Sequence, residues 1–216
     1  RSNIFKAALA GYTNSGKSTL LKNITGYDVY IKDQLFATLE TITKKYTLPS
    51  NSKILLSDTV GFLRKLPHNL IASFRSTLSE IIESDLIVKV IDINSSDLDG
   101  HIETIDETLK FIGAENKKSI TVFNKIDLVC DDKLFTKINN RYKEPIMISA
   151  EKNLNVNHLI KKIDSIILES TQDFSIKIPH SEFNLIKYIY KNTAVIKRKD
   201  DYDYIKFDFR CSEKVF

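Results

Sequence analysis

Cysteine is nearly missing from this chain: Cys130 and Cys211 are the only two. They form neither a CxxC pair nor a zinc-ligand spacing. That excludes a disulfide scaffold and leaves two reduced thiols, with a cytosolic compartment as the expectation. No apolar run approaches the ~20 residues that span a bilayer, and no basic-then-apolar leader opens the sequence. The chain therefore reads as soluble and cytoplasmic, with no membrane span. Its abrupt start, "RSNIFKAALAGY", enters a strand within a few residues and reads as a fragment of something longer. Neither charge sign dominates: 32 basic against 28 acidic residues leave +4, which permits a nucleic-acid or ribosomal partner without requiring one. One methionine, four prolines and six glycines are few for 216 residues, a bias that fits codon usage better than function.

Two of those six glycines fall within "GYTNSGKSTL", Gly11 to Leu20. Gly11, Gly16, Lys17 and Ser18 have the spacing of a phosphate loop, with a strand-like run before and a helical one after. Glycines let the backbone bend so that its N–H groups converge on phosphate oxygens, and the helix start adds its positive end. The nucleotide-binding run is expected to be Asn14, Ser15, Gly16, Lys17, Ser18 and Thr19. Lys17 would reach the β- and γ-phosphates, and the Ser18 hydroxyl would ligate Mg²⁺. A phosphate loop alone does not separate ATP from GTP.

Three further stretches narrow the base and the chemistry. "NKID", Asn124 to Asp127, follows a β-branched run. Asp127 can accept from guanine N1–H and the exocyclic amine, donors that adenine lacks. The Lys125 stem can lie over the purine, Asn124 can tie this loop to the phosphate loop, and "ISA" supplies Ser149 and the Ala150 N–H for guanine O6. "DTVG" places Asp58 to hold Mg²⁺ through water and the Gly61 N–H on the γ-phosphate. Thr38, in "FATLE", is the expected second γ-phosphate sensor and a Mg²⁺ ligand, so Lys17, Thr38 and Gly61 form the catalytic set. Metal ligation falls to Ser18, Thr38 and Asp58.

Strand-like runs ("IFKAALA", "KYTL", "KILLSD", "DLIVKVID", "SITVFN", "PIMIS") alternate with amphipathic stretches from Ile4 to about Thr171. This predicts an α/β fold with a mostly parallel six-stranded sheet and helices on both faces. Residues 173–216 break the pattern and read as a small β-α-β-β unit. The expected domains are thus 1–172, binding GTP, and 173–216.

"GYTNSGKSTL", "DQLFATLE", "DTVGFLRKLPHNLIASFRSTLSE" and "NKIDL" together resemble the translation-factor-like P-loop GTPases, and among them the HflX family. The resemblance covers Ile4 to Ser170 and continues more weakly through "IPHSEFNLIKYIYKNTAVIKRK". It implies a GTPase that associates with the large ribosomal subunit, its RNA and protein, in the GTP state, and that takes part in splitting or rescuing stalled ribosomes. The family's N-terminal domain and linker helices have no counterpart here, and a monomer is expected.

Phe62 stands where Ras-type sites have a water-orienting glutamine. Slow intrinsic turnover is the expectation, with Arg64 and His68 close by in sequence as surface or partner-facing groups. A GTP-gated adaptor with negligible hydrolysis is the alternative. An ATP-dependent phosphoryl transferase is hard to reconcile with Asp127. Asn14 raises K⁺ as a transition-state charge, against the plainer reading that it bonds the adjacent loop. Lys197, Arg198 and Lys199 with nearby tyrosines could contact RNA, but Asp200, Asp201 and Asp203 favour a solvated hairpin. His101, His158 and His180 read as ordinary surface positions.

Overall fold

The computed structural model describes residues 4–27, 41–62 and 78–211. Six strands form one sheet: β1 (Phe5–Ala10), β2 (Ile42–Thr47), β3 (Lys53–Asp58), β4 (Leu86–Asp92), β5 (Ser119–Asn124) and β6 (Ile146–Met147), in the order β2-β3-β1-β4-β5-β6. β4 pairs parallel with β1 and with β5, its register running from Ile87 opposite Ser119 to Asp92 opposite Asn124. β6 is parallel to β5. "LIVKVID" is buried at five of seven positions, the signature of a strand covered on both faces in the middle of a parallel sheet. "ITKKYT" in β2 instead alternates half-buried with exposed residues, and its lysines suit an edge.

The helices are α1 (Lys17–Thr25), α2 (described over residues 78–83), α3 (Leu98–Phe111), α4 (Asp132–Arg141) and α5 (Val156–Leu168). α3 and α4 begin on aspartates that accept backbone N–H groups: Asp97 from Gly100, Asp131 from Lys133. Such caps satisfy donors that a helix start leaves open. α1 begins on Gly16, which has no side chain to do this, so its first-turn N–H groups remain for another acceptor. The chain leaves β1 toward β3 on one side and β4 on the other. The loop after β1 therefore lies at the topological switch point, beyond the carboxyl ends of the strands, where open α/β sheets bind ligands.

By backbone proximity the chain divides into two compact units, one drawing on Lys6–Lys45 and Leu55–Leu159, the other on Tyr46–Ile54 and Ile160–Phe216. The first has its core in Ile87, Ile91, Phe123, Ile105 and their neighbours. The second contains a three-stranded antiparallel sheet in the order β7-β9-β8, made of β7 (Gln172–Pro179), β8 (Ala194–Asp200) and β9 (Tyr204–Cys211). α6 (Phe183–Asn192) packs Ile189 against Ile178, Ile205, Phe207 and Phe209. This is the β-α-β-β order expected from the alternating "YIKFDFR".

Candidate nucleotide-binding site

The loop between β1 and α1 is built around close approaches. Gly16 has φ +92°, and a methyl group there would meet the Asn124 Nδ2 at 2.2 Å. Only glycine meets both demands. Asn14 is exposed and also left-handed, at φ 60°. Ser15 and Lys17 are buried, and Ser18 and Thr19 occupy the first turn of α1. The Lys17 ammonium donates to the carbonyls of Gly11 (3.2 Å) and Tyr12 (3.0 Å), so it is held across the loop from which its own helix departs. Burial lowers its pKa to about 8, and the Asp58 carboxylate opposes that shift.

Asp58 ends β3 fully buried, and its Oδ2 accepts the Ser18 hydroxyl at 2.5 Å. These are hard oxygen donors, the kind Mg²⁺ takes. Among the described residues no group of three or more His, Cys, Asp or Glu could hold a metal. One carboxylate and one hydroxyl instead match the Mg²⁺ sites that substrate phosphates complete. Gly61 follows, and a methyl there would lie 2.7 Å from the Thr13 Cα. Next to it, the Phe62 N–H donates to the Gly11 carbonyl at 2.9 Å and the Thr13 N–H donates to the Phe62 carbonyl at 3.0 Å, a short parallel bridge between the two loops. The Phe62 ring belongs to the buried core. Thr38, Arg64 and His68 lie outside the described residues.

The base loops converge on one amide. Asn124 is 1% exposed. Its Nδ2 donates to the Ser15 carbonyl at 2.8 Å, and its Oδ1 accepts the Ala150 N–H at 2.9 Å. The tie to the phosphate loop is as expected. The Ala150 N–H, read from sequence as a donor to guanine O6, is here given to Asn124. Ser149 is buried and closes its own turn, bridging Leu154 in both directions and accepting the Lys152 N–H on its hydroxyl. Lys125 is left-handed (φ 67°), and its ammonium pairs with Asp92 at 2.7 Å. Asp127 lies in a 3₁₀ turn, Ile126–Leu128, and its Oδ1 is buried with no hydrogen-bond partner among the described residues. The Ser15 hydroxyl is in the same condition. Two orphaned polar atoms, one in the cradle and one in the base loop, are what a polar ligand would satisfy.

Three participants escaped the reading of the sequence. Asn23 on α1 donates its amide to the Ala150 carbonyl, a second clasp on the same loop. Asp92, at the end of "DLIVKVID", was detectable as a carboxylate closing a buried strand. His101, expected as an ordinary surface position, stacks on Tyr12 of the glycine loop with ring centroids 3.8 Å apart and planes 12° apart. Its place on α3 carried no signal in the sequence.

Residues 6–125 match the family model described as "50S ribosome-binding GTPase". The GTPase HflX of Caldanaerobacter subterraneus subsp. tengcongensis is 40% identical over 196 residues, which are 91% of this chain and 44% of that protein. The chain thus spans less than half the length of that relative. Among solved structures, a GTP-binding protein from Sulfolobus solfataricus in complex with GDP is 33% identical (TM-score 0.56, 76% of this chain and 53% of that one). An Era variant from Aquifex aeolicus bound to GDP and tetrafluoroaluminate is 26% identical (TM-score 0.59, 74% and 56%). With that family model spanning the cradle, the Asp58 strand and the start of the base loop, the chain belongs to the 50S ribosome-binding GTPases and, within them, to the HflX GTPases.

Proposed function

We propose that this chain is a Mg²⁺-dependent switch that binds GTP, hydrolyses it slowly to GDP and phosphate, and is stimulated by the large ribosomal subunit. The observation that carries the base is the buried, orphaned Oδ1 of Asp127. Guanine offers N–H donors to it, and adenine would leave it unpaired at a cost of about 1–3 kcal/mol. The neighbouring structures with GDP and with GDP and tetrafluoroaluminate support a guanine nucleotide and phosphoryl chemistry. The 50S wording of the family supports the ribosomal partner.

In this reading the N–H groups from Asn14 to Thr19 hold the phosphates, and Lys17 moves from carbonyl oxygens to phosphate oxygens, taking up developing charge. Ser18 and Asp58 hold Mg²⁺, joined by Thr38, and the Gly61 N–H reads the γ-phosphate. Mg²⁺ at these oxygens would supply positive charge against the phosphates. Catalysis is then positioning and electrostatics rather than covalent chemistry. Asn124 keeps the phosphate and base loops in register, while Lys125, Ser149 and Ala150 line the base. Residues 1–172 act as the G domain and 173–216 as a separate C-terminal domain of a cytoplasmic monomer. Asn14, exposed on the loop, would hold K⁺ if that ion supplied transition-state charge, against the plainer reading that it bonds the adjacent loop; equal rates in K⁺ and Na⁺ would remove the ion from the scheme.

A second reading, a GTP-gated adaptor with negligible turnover, is favoured by Phe62, whose ring is spent on the core and orients no water. Phosphate release from GTP, measured in K⁺ buffer with and without purified large subunits, separates the two. Hydrolysis stimulated about tenfold or more is expected, since completing such a site in trans is worth far more elsewhere. Tight GTP binding with a flat, near-zero rate under both conditions would leave the adaptor.

A further inference from the structure

Among the described residues, the β7-β9-β8 sheet packs one face into a core of its own. Ile178, Ile205, Phe207 and Phe209 go to the core under α6. Strand residues alternate between faces, so the intervening positions stand on the other side, where Ala194 opposite Arg210 is buried and the rest are half-buried or exposed. Register places Lys177 opposite Lys206, and Lys206 opposite Lys199. Three lysines therefore form one row across all three strands, neighbours about 4.8 Å apart. Like charges directly opposite destabilise a sheet, so the row carries a repulsion that a bound polyanion would relieve.

The acidic groups on the same face cancel it only in part. Arg210 and Asp173 neutralise each other in a two-pronged pair at 2.6 and 2.9 Å. Asp208 stands opposite Lys197 and 3.7 Å from Lys206, so one carboxylate is shared by two ammonium groups. Asp201, in the β8–β9 turn, accepts the Tyr202 N–H at 2.8 Å, and the charges of Lys199 and Lys177 also reach it. Lys177 lies over the Tyr204 ring at 4.5 Å. At the same end Tyr202 is 94% exposed, an aromatic ring with nothing packed on it.

We propose that this helix-free face is an RNA-binding surface, with Lys177, Lys206 and Lys199 on successive phosphates of one strand and Tyr202 offering its ring to a base. A ladder of cations beside an open aromatic ring is the combination that single-stranded nucleic acid rewards. A lipid surface would call for apolar side chains around the cations, and Ser175 and Asp208 occupy the next row instead. The proposal deepens the reading of a ribosome-directed GTPase by naming RNA as what this unit touches.

The test is fluorescence anisotropy of a labelled, uridine-rich single-stranded RNA with the whole chain and with Lys177→Ala/Lys199→Ala/Lys206→Ala. The triple variant is expected to bind at least about tenfold more weakly at low salt, with a salt slope shallower by about 2, since each single-strand phosphate contact contributes about 0.7. Its melting temperature should hold or rise, because repulsion is relieved. Lys187→Ala/Lys191→Ala, on exposed positions of α6, should bind like the parent. Unchanged binding by the triple variant, an equal loss in the α6 control, or displacement of RNA by polyglutamate or phosphatidylserine vesicles as readily as by unlabelled RNA would overturn it. Large-subunit stimulation of the parent without RNA binding sinks the RNA face alone; RNA binding without stimulation sinks the ribosomal reading alone.

Discussion

In the proposed reading, Asp127 and Asn124 divide the work of the base loop between recognition and support. Asp127 keeps a buried acceptor oxygen without a partner, whereas both polar ends of Asn124 are already committed, to the Ser15 carbonyl and the Ala150 N–H. Asp127→Asn replaces an acceptor by a donor at constant shape, so guanine should lose about 10²-fold or more in affinity. Xanthine nucleotides should gain, because their carbonyl accepts where guanine's amine donates. Competition between GDP and XDP reads this directly, and unchanged GDP affinity would remove Asp127 from base recognition. The positions of Asp127, Asn124, Lys17 and Asp58 could be singled out in the sequence because motif spacing fixes the residue type: Asp58 and Asn124 end strands, Lys17 opens a helix and Asp127 sits in the turn after β5. What Asn23 and His101 do was not, since a polar residue on a helix looks the same whether it faces solvent or a loop. Phe62 was read for the hydrogen bonds its ring cannot make; that its ring fills the core, and its backbone bridges two loops, is set by tertiary packing.

At the scale of elements, the turn between β2 and β3 is pinned to α5 by a single carboxylate. Asn51 takes a left-handed conformation (φ 64°), and the Leu48 N–H donates to the Ser52 carbonyl at 2.9 Å. Asp164 of α5, 7% exposed, then accepts both the Ser50 N–H (3.1 Å) and the Ser50 hydroxyl (2.5 Å). Asp164→Ala leaves both donors without that acceptor and should cost about 2–3 kcal/mol in chemical denaturation; Asp164→Asn keeps the shape and should cost less. A loss below 0.5 kcal/mol in the alanine variant would mean that water serves the turn equally well. The long β-branched runs announced β4 and β5 to within a residue or two, because burial on both faces leaves little choice of side chain. α4 was missed although "DKLFTKINNR" puts Leu134, Phe135 and Ile138 at helical spacing, because three apolar residues in an otherwise polar ten make a weak run.

For the molecule as a whole, every described candidate nucleotide ligand falls in the unit made by Lys6–Lys45 and Leu55–Leu159. Ligand binding stabilises the state that binds it, by about 2.7 kcal/mol at a hundred times Kd. Hydrogen exchange with saturating GDP should therefore slow in the glycine loop, α1 and residues 124–127 and 149–154. The amides around Phe207 should keep their rates, and protection appearing there as well would show that the nucleotide stabilises both units. The mostly parallel six-stranded sheet followed from where apolar runs and glycine turns fall, whereas the order of its strands and the grouping of Tyr46–Ile54 with Ile160–Phe216 did not. The Ala150 half of the Asn124 clasp and the lysine row became visible only once folding brought distant residues side by side. The bridge between Phe62 and the glycine loop carries a consequence of its own. With the Phe62 N–H on Gly11, its carbonyl on Thr13, and no room for a methyl group at Gly61, sensor and cradle are laced into one lever. In the proposed reading, a third phosphate reaching the Gly61 N–H would be met by a backbone already tied to the loop that holds the other two.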